Sequence, residues 1–308
     1  MTNHPAILSQ RPIFIGGTGR CGTSILAQCL ALHPDLLYFP EPSFLAGPQG
    51  IADLLAGRTP PAEFMRAMLG GFLPRLVKNL VDAGSREAGA AYSAQVVIHL
   101  FTATFGRGLP LIEASALFTD RLFTLGQKAA GKSRWMEKTP HTIVMADKLY
   151  RMFPDLLYIH LLRSPRDVCA SILEQNWGPA SVEEFVRYYN QLMRTAFHAQ
   201  QSLPPSQYLC LDLETLVHHP EPVLSAVMRA GDLDHDQELV SRMASLVDHQ
   251  RANIGRHRSS LTEEEKELVD RACRPLYDLW RQRAGHTSGL TVEGMNQPEP
   301  ERPWNYPS

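Results

Sequence analysis

The stretch PIFIGGTGRCGTSIL, residues 12–26, contains a short apolar strand, a glycine-rich turn and the start of a helix. Glycine adopts backbone angles that other residues avoid, so such a turn can curl until successive N–H groups point inward. The helix that follows adds the positive end of its dipole at the same place. This stretch therefore predicts a socket for a phosphate-like anion at the end of the first strand.

The turn differs at one position from the nucleoside-triphosphate loop G-x-x-x-x-G-K-[ST]. Gly17, Gly22 and Ser24 match that pattern, but Thr23 stands where the lysine should be. Without the lysine, the β- and γ-phosphates of ATP lose their principal cation. Arg20, inside the loop, supplies a different cation, so the loop indicates an anion other than ATP.

The composition limits the class of protein. A chain of 308 residues with 44% hydrophobic content can bury the core of one large domain. A formal net charge of -2 offers no electrostatic footprint for nucleic acid. Five cysteines without a C-x-x-C pair argue against a disulfide framework or a zinc site. Because a signal pattern and a spanning run of about 18 apolar residues are also missing, we expect a cytoplasmic protein without a membrane span.

The order of apolar segments predicts an α/β fold with a mostly parallel sheet. Residues 156–162 form the strongest strand pattern, and residues 36–39 and 208–213 form two further ones. Residues 43–132 show only helical patterns, so we interpret them as a helical insert that acts as a lid over an acceptor. We treat residues 1–308 as one domain that ends in a Pro-rich tail, residues 295–308.

Helix boundaries are predicted from capping residues. Ser181 with Glu184, and Thr262 with Glu265, have the spacing of a capping box. The second pair would begin a long final helix that stops near Gly285. Residues 141–153 have the periodicity of one amphipathic helix.

A cation follows the strongest strand. Ligands of open parallel sheets bind at the carboxyl ends of the strands, and in triphosphatases an aspartate at such an end often helps to hold magnesium. Arg163 occupies this position here, which predicts direct, metal-independent binding of an anion. Ser171 lies eight residues later, about two helical turns on, and can face the same side. The alternative is a surface arginine paired with Asp167.

Three more residues are candidates for chemistry at the strand ends. Lys138, in the segment EKTPH, can reach a bound anion as a mobile point charge. His141, in the first turn of the next helix, is a candidate base whose pKa the helix dipole would lower. Glu41, held between Pro40 and Pro42, is the second candidate for the general base. The sequence leaves the choice between these two bases open.

Together these motifs resemble those of the sulfotransferases that use 3′-phosphoadenosine 5′-phosphosulfate (PAPS). The segment GRCGTS, residues 19–24, is similar to the 5′-phosphosulfate loop of that family, with Cys21 in place of the usual serine. Residues 161–171 are similar to its 3′-phosphate motif, with Arg163 and Ser171 in register. Residues 254–262 resemble the C-terminal loop that closes over the 3′-phosphate.

Part of the resemblance is to the tyrosylprotein branch of that family. His33-Pro34-Asp35 follows the loop and its helix, and Glu41 falls at the position of the branch's glutamate base. Residues 137–140 resemble the segment whose lysine contacts the bridging and transferred oxygens. Leu213 stands where an aromatic residue is usual.

The resemblance implies a three-layer, P-loop-like fold and in-line transfer of a sulfuryl group from PAPS to an acceptor hydroxyl. Adenosine 3′,5′-bisphosphate (PAP) would be the product, and no metal is expected. Arg20 and Lys138 would act at the transferring group. The residues implied to bind the donor are Gly19, Arg20, Cys21, Gly22, Thr23, Ser24, Arg163, Ser171, Arg256 and Arg258.

Two other functions remain open at this point. One is a P-loop nucleotide kinase or other phosphotransferase, and the other is a non-catalytic nucleotide-binding module. The acceptor class, whether sugar, phenol, lipid or peptide, does not follow from the sequence.

Overall fold

A five-stranded parallel sheet forms the centre of the protein. The computed structural model describes residues 11–287, with side chains as far as residue 282, so the tail at 295–308 lies outside the described residues. The strands are β1 (Ile13–Gly17), β2 (Leu36–Pro40), β3 (Arg134–Lys138), β4 (Leu157–Leu162) and β5 (Tyr208–Asp212). They lie in the order β2-β3-β1-β4-β5, and every neighbouring pair is parallel. The predicted α/β fold is therefore confirmed.

Helices connect these strands and cover the sheet. The α-helices of the described residues are α1 (Thr23–Leu30), α2 (Ile51–Leu55), α3 (Pro61–Ala67), α4 (Leu73–Asp82), α5 (Arg86–Ala90), α6 (Ala94–Phe105), α7 (Leu111–Ala129), α8 (Ala146–Met152), α9 (Pro165–Ile172), α10 (Val182–Gln200), α11 (Leu213–His218), α12 (Pro220–Ala230), α13 (Gln237–Ala244), α14 (His249–Ala252), α15 (His257–Ser260) and α16 (Glu263–Thr287). None of the helices in residues 11–287 has both the length and the apolar content that crossing a bilayer requires.

The sheet separates two hydrophobic cores, because successive side chains of a strand point to opposite faces. Ile13 and Ile15 of β1 pack with apolar residues of α1 and of α11 to α13. Phe14, between them, packs on the other face with residues of α7, α8, α10 and α16. Burial on both faces explains why β1 is apolar throughout and why β4 is apolar apart from Tyr158 and His160, as in other parallel sheets.

The insert at residues 43–132 contains α2 to α7 and a π-helical turn at Met68–Phe72. Within it, α4 packs on β2 and α7 packs on β2 and β3, so the insert lies against one side of the sheet. Its Leu73, Leu76 and Leu80 are buried, which leaves the opposite face of α4 polar. That the insert covers an acceptor stays a prediction.

Helix boundaries agree with the capping signals at two places and differ from the prediction at one other. Ser181 accepts a hydrogen bond from the Glu184 N–H at 3.3 Å, and Thr262 and Glu265 bond reciprocally at 2.8 and 3.3 Å. The expected single helix over residues 141–153 begins instead as a 3-10 helix, Pro140–Met145, in which the Thr142 N–H and hydroxyl both donate to the Thr139 carbonyl.

The final helix, α16, is described as far as Thr287, two residues beyond the predicted stop near Gly285. Glycine inside a helix costs only about 1 kcal/mol relative to alanine, so one glycine does not have to end a helix.

Candidate active site

The carboxyl ends of three adjacent strands bring the predicted site residues together. In the order β3-β1-β4, Lys138 ends β3, the glycine loop follows β1, and Arg163 follows β4. Lys138 pairs in register with Ile15, and Leu161 pairs with Gly17. The topology therefore places residues that are more than a hundred positions apart at one edge of the sheet.

The glycine loop has the backbone conformation that its sequence predicts. Gly19, Arg20 and Gly22 have φ angles of 77°, 55° and 91°, in the left-handed region. A methyl group on Gly22 would lie 2.5 Å from a terminal carbon of Leu213, so this position has no room for a larger residue. Thr23 and Ser24 open α1, whose first N–H groups have no partner within the helix and are available to an anion.

The Cys21 side chain points into the core below the loop. It is fully buried, and its sulfur lies so close to Gly17 that a methyl group there would be 2.5 Å from it. Burial raises the pKa of the Cys21 thiol. Hydrogen bonds from Thr18 and from the Thr23 backbone to the sulfur oppose this rise in the pKa only in part. The Cys21 side chain is thus held below the loop, and binding of the donor by Cys21 stays a prediction that concerns its backbone.

Arg163 is buried and partly unpaired. Only 6% of the residue is exposed, and its Nη1 and Nη2 donate to the carbonyls of Arg20 at 2.9 Å and Asn253 at 2.7 Å. Its Nε is buried and has no hydrogen-bond partner among the described residues. The alternative of a surface arginine is therefore wrong, and a buried donor remains for an anion.

Asp167 holds the loop between α14 and α15. Its carboxylate lies 3.8 Å from Arg163 but accepts shorter bonds from Gly255 N–H at 2.8 Å, His257 N–H at 3.0 Å and His257 Nδ1 at 2.7 Å. Burial alone would raise the pKa of Asp167, but the bonds from His257 and Gly255 outweigh burial and hold that pKa below its usual value. The predicted C-terminal loop thus lies next to Arg163.

Arg20 and Ser171 meet beside this loop. Arg20 Nε donates to the Ser171 hydroxyl at 3.0 Å. The sequence predicted Arg20 at the transferring group, but its guanidinium is directed toward Ser171, and its backbone carbonyl accepts from Arg163. Arg256 is ion-paired with Glu174, and Arg258 is exposed on the same loop.

A second group of contacts centres on Lys138. This side chain is only 3% exposed, and its Nζ donates to the Ser24 hydroxyl at 3.0 Å and pairs with the Glu41 carboxylate. Glu41 follows β2 with φ at 46°, and its N–H donates to the Lys138 carbonyl at 2.8 Å. Lys138 therefore joins the glycine loop to the half-exposed carboxylate of Glu41.

His141 makes a different set of contacts. Its Nε2 lies 2.9 Å from the Tyr188 hydroxyl, which donates its proton to the Thr18 carbonyl at 3.0 Å. Because that hydroxyl has one proton, Nε2 must be the donor to it. Burial lowers the pKa of His141, and the charge of Glu41 opposes this shift. The predicted direction is confirmed, but the largest cause is burial and not a helix dipole.

Sequence reasoning missed two aromatic residues near the loop. Tyr188 lies in the middle of α10, where an amphipathic pattern gives no sign of its contacts with His141 and Thr18. Trp177 is 57% exposed and lies so near Gly19 that a methyl group there would be 3.9 Å from the indole. Its only sequence signal is a large aromatic residue in a loop.

Glu137 is a buried acid beside the site. It lies on β3 between Phe14 and Phe39 of the neighbouring strands, and no described residue hydrogen-bonds either carboxylate oxygen in good geometry. Burial raises the pKa of Glu137 to about 8, against which Thr139 and Lys138 act only in part. Glu137 is therefore a neutral acid at pH values below this.

We expect Glu137→Gln to change how stability depends on pH. The folded-state pKa of about 8 lies above the ordinary value of 4.5, so the native protein holds a proton that the unfolded chain releases. Wild-type stability should then fall as pH rises from 4.5 toward 8, by up to about 1.4 kcal/mol per unit, relative to the variant. Urea unfolding at several pH values measures this difference. Glu238→Gln, at an exposed acid, is the control, and parallel pH profiles for Glu137→Gln and wild type would contradict the prediction.

The fold and this edge of the sheet define an α/β protein with a glycine loop and several cations at the ends of adjacent parallel strands. The chain belongs to the sulfotransferase family, whose model matches residues 12–237. The resemblance to this family is thereby confirmed, and the likeness to its tyrosylprotein branch stays a prediction. Family membership decides against a nucleotide kinase.

Individual relatives are distant. The nodulation protein NoeE of Sinorhizobium fredii is 29% identical over 171 residues, which cover 56% of this chain and 33% of NoeE. An uncharacterized protein of Aquifex aeolicus is 25% identical over 244 residues, which cover 77% of this chain and 27% of that protein. The chain thus spans a third or less of the length of these relatives.

A solved structure shows the same fold. The sulfotransferase STF9 from Mycobacterium avium superimposes with a TM-score of 0.51, and the match covers 91% of this chain and 79% of STF9. The two chains are 14% identical, so the likeness concerns the fold alone.

Proposed function

We propose that this protein transfers the sulfuryl group of PAPS to an acceptor hydroxyl and releases PAP. The observation that carries the proposal is the contact chain in which Lys138 bonds Ser24 of the glycine loop and Glu41 beyond it. An anion bound in the glycine loop would lie at the Ser24 end of this series of contacts. The half-exposed carboxylate of Glu41, able to take a proton from an acceptor, lies at the other end.

The donor would be held by two anion sites. Backbone N–H groups at residues 19–24 and the start of α1 suit the 5′-phosphosulfate. The buried Arg163, with its unpaired Nε, suits the 3′-phosphate, together with Ser171 and Arg20. Arg256 and Arg258 lie on the adjacent segment. If Arg256 released its ion pair with Glu174, its guanidinium could bind the same phosphate.

In the transfer step, the bond between sulfur and the bridging phosphate oxygen breaks while a bond from sulfur to the acceptor oxygen forms. The transition state is loose, and negative charge builds up on the leaving phosphate, as in phosphoryl transfer. Lys138 would turn from Glu41 toward that charge, a stabilisation worth about 3 kcal/mol for one well-placed donor. Positioning of the acceptor in the cleft supplies a further part of the rate.

We assign the general base to Glu41 and not to His141. Glu41 is half-exposed, and its carboxylate loses its partner when Lys138 turns to the leaving group. His141 donates its Nε2 proton to Tyr188, which leaves only Nδ1 to accept a proton, and burial lowers the pKa of the ring. Tyr188 in turn contacts Thr18 of the loop, so His141 supports the loop from below.

Thermal shift measurements with PAP test the donor assignment. PAP without metal should raise the melting temperature, because a ligand at 100 times its Kd adds about 2.7 kcal/mol to the stability. Magnesium-ATP at the same concentration should have a much smaller effect. A larger shift with magnesium-ATP than with PAP would contradict the proposal.

Transfer of labelled sulfate from PAPS to a panel of sugars, phenols, lipids and peptides tests the reaction itself. At least one acceptor should become labelled, and Lys138→Ala should remove the label. A PAP shift without transfer to any acceptor would indicate a non-catalytic nucleotide-binding module instead.

A further inference from the structure

An open cleft of about 470 Å³ borders Glu41. Clefts of this size hold small molecules. Asn79 of α4 donates its side-chain amide to the carbonyls of Pro40 at 2.8 Å and Glu41 at 3.4 Å, which fixes α4 against the end of β2. Besides Glu41, the residues that line the cleft are all from α4: Pro74, Arg75, Lys78 and Asn79.

Two cations line the cleft together with Glu41. Arg75 and Lys78 are three positions apart on α4 and therefore lie on the same face of the helix. Arg75 has no ion pair with any of residues 11–287, and its one side-chain hydrogen bond is to the Ser43 hydroxyl at 3.3 Å. Lys78 pairs with Asp82, but these side chains are 72% and 59% exposed, so the pair is weak and open to exchange.

The position of Arg75 is tied to that of Glu41. The Ser43 hydroxyl that accepts from Arg75 itself donates to the Glu41 carbonyl at 3.1 Å. One hydroxyl thus connects the guanidinium to the backbone of the proposed base. A ligand group bound by Arg75 would therefore lie at a fixed distance from a ligand hydroxyl that contacts the Glu41 carboxylate.

We propose that the acceptor carries an anionic group, a carboxylate or a phosphate, close to the hydroxyl that receives the sulfuryl group. This inference rests on the proposed function, because it names the acceptor of the same site. Arg75 binds the anion with its planar fork, which matches both groups, and Lys78 adds a second charge. The negative Glu41 repels an anion from its own side of the cleft and so favours one orientation of the acceptor.

Matched pairs of compounds test this acceptor class. Binding is measured by ligand-observed NMR in the presence of saturating PAP, with galacturonate against galactose, hydroxyphenylacetate against hydroxyphenylacetamide, and glycerol phosphate against glycerol. In at least one pair the anionic member should bind about tenfold tighter or more, as expected for a charge-assisted hydrogen bond. The carboxylate pairs and the phosphate pair distinguish the two kinds of anion.

Charge reversal on α4 tests whether Arg75 causes the preference for the anionic compound of a pair. Arg75→Glu should remove the preference for the anionic member, and Arg75→Lys should retain part of it. Arg107→Glu, at an exposed arginine of the insert outside the cleft, makes the same change in net charge and should leave the preference intact.

The outcomes separate this inference from the proposed function. Equal binding within every pair, or a preference that Arg75→Glu leaves unchanged, overturns the anionic acceptor while PAP binding and sulfate transfer stand. Failure of PAP to bind overturns the proposed function. The pairs are then compared without PAP, and a preference that depends on Arg75 would still support an anion site in this cleft.

Discussion

Arg163→Ala should abolish detectable binding of PAP. The guanidinium is buried at the end of β4, where its Nη atoms are held by the carbonyls of Arg20 and Asn253 and its Nε has no partner among residues 11–287. Each hydrogen bond to a charged group contributes about 1.5–3 kcal/mol. Loss of two such bonds to the 3′-phosphate lowers the affinity by about a hundredfold or more. Calorimetric titration with PAP measures the loss.

A comparison of two nucleotides separates this effect from a general loss of structure. Wild type should prefer PAP to adenosine 5′-monophosphate, which lacks the 3′-phosphate, and Arg163→Ala should bind both equally weakly. Arg163→Lys keeps the charge and should keep part of the preference. Arg166→Ala, at the nearby arginine of α9 whose Nε bonds Asp270 at 2.7 Å, is the control. Unchanged PAP affinity in a folded Arg163→Ala protein would overturn the 3′-phosphate assignment.

Glu41→Gln should lower turnover by about a hundredfold or more and leave PAP affinity within twofold of wild type. A positioned general base contributes about 10² to 10⁴ to the rate, and glutamine keeps the size of glutamate without its basicity. The carboxylate is half-exposed and lies outside the glycine loop, so donor binding does not depend on it. Single-turnover transfer to any acceptor found in the labelled screen measures the effect.

His141→Gln is the matched comparison. It removes the second candidate base and keeps a side chain that can donate to the Tyr188 hydroxyl. We expect less than a tenfold loss of turnover. If His141→Gln lowers turnover by a hundredfold and Glu41→Gln does not, the base is His141.

Much of the donor site was predictable because its signals are local. The glycine loop and the helix start lie within residues 12–26, where backbone angles and helix dipole act over a few positions. Arg163 and Ser171 were predicted in the same way, from a strand followed by one helix. The directions of the side chains were not predictable: Arg20 is directed to Ser171, and Cys21 points into the core, because packing of α1, α9 and Leu213 around the loop decides these directions.

The acceptor side of the site depended on contacts that sequence reasoning could not provide. Glu41 and Lys138 were each named as candidates, but their ion pair follows from β2 and β3 being neighbours in the sheet. That Arg75 and Glu41 line one cleft follows from the docking of α4 on β2, which Asn79 fixes through two backbone carbonyls. The leucine spacing of α4 indicates which face of the helix is polar, but nothing in residues 43–132 indicates what that face borders.

By itself, the sequence determined an α/β fold and predicted an anion socket without the triphosphate lysine. Both follow from short-range physics, namely glycine conformations, strand and helix periodicities, and charges placed at strand ends, whereas the sulfotransferase family was indicated by the resemblance of the motifs. Only the tertiary structure decided which charges meet. Strand order and helix docking are set by burial of apolar surface across the whole chain. They brought Lys138 to Ser24 and Glu41, left the Nε of Arg163 without a partner among residues 11–287, and placed Arg75 and Lys78 at the cleft beside Glu41.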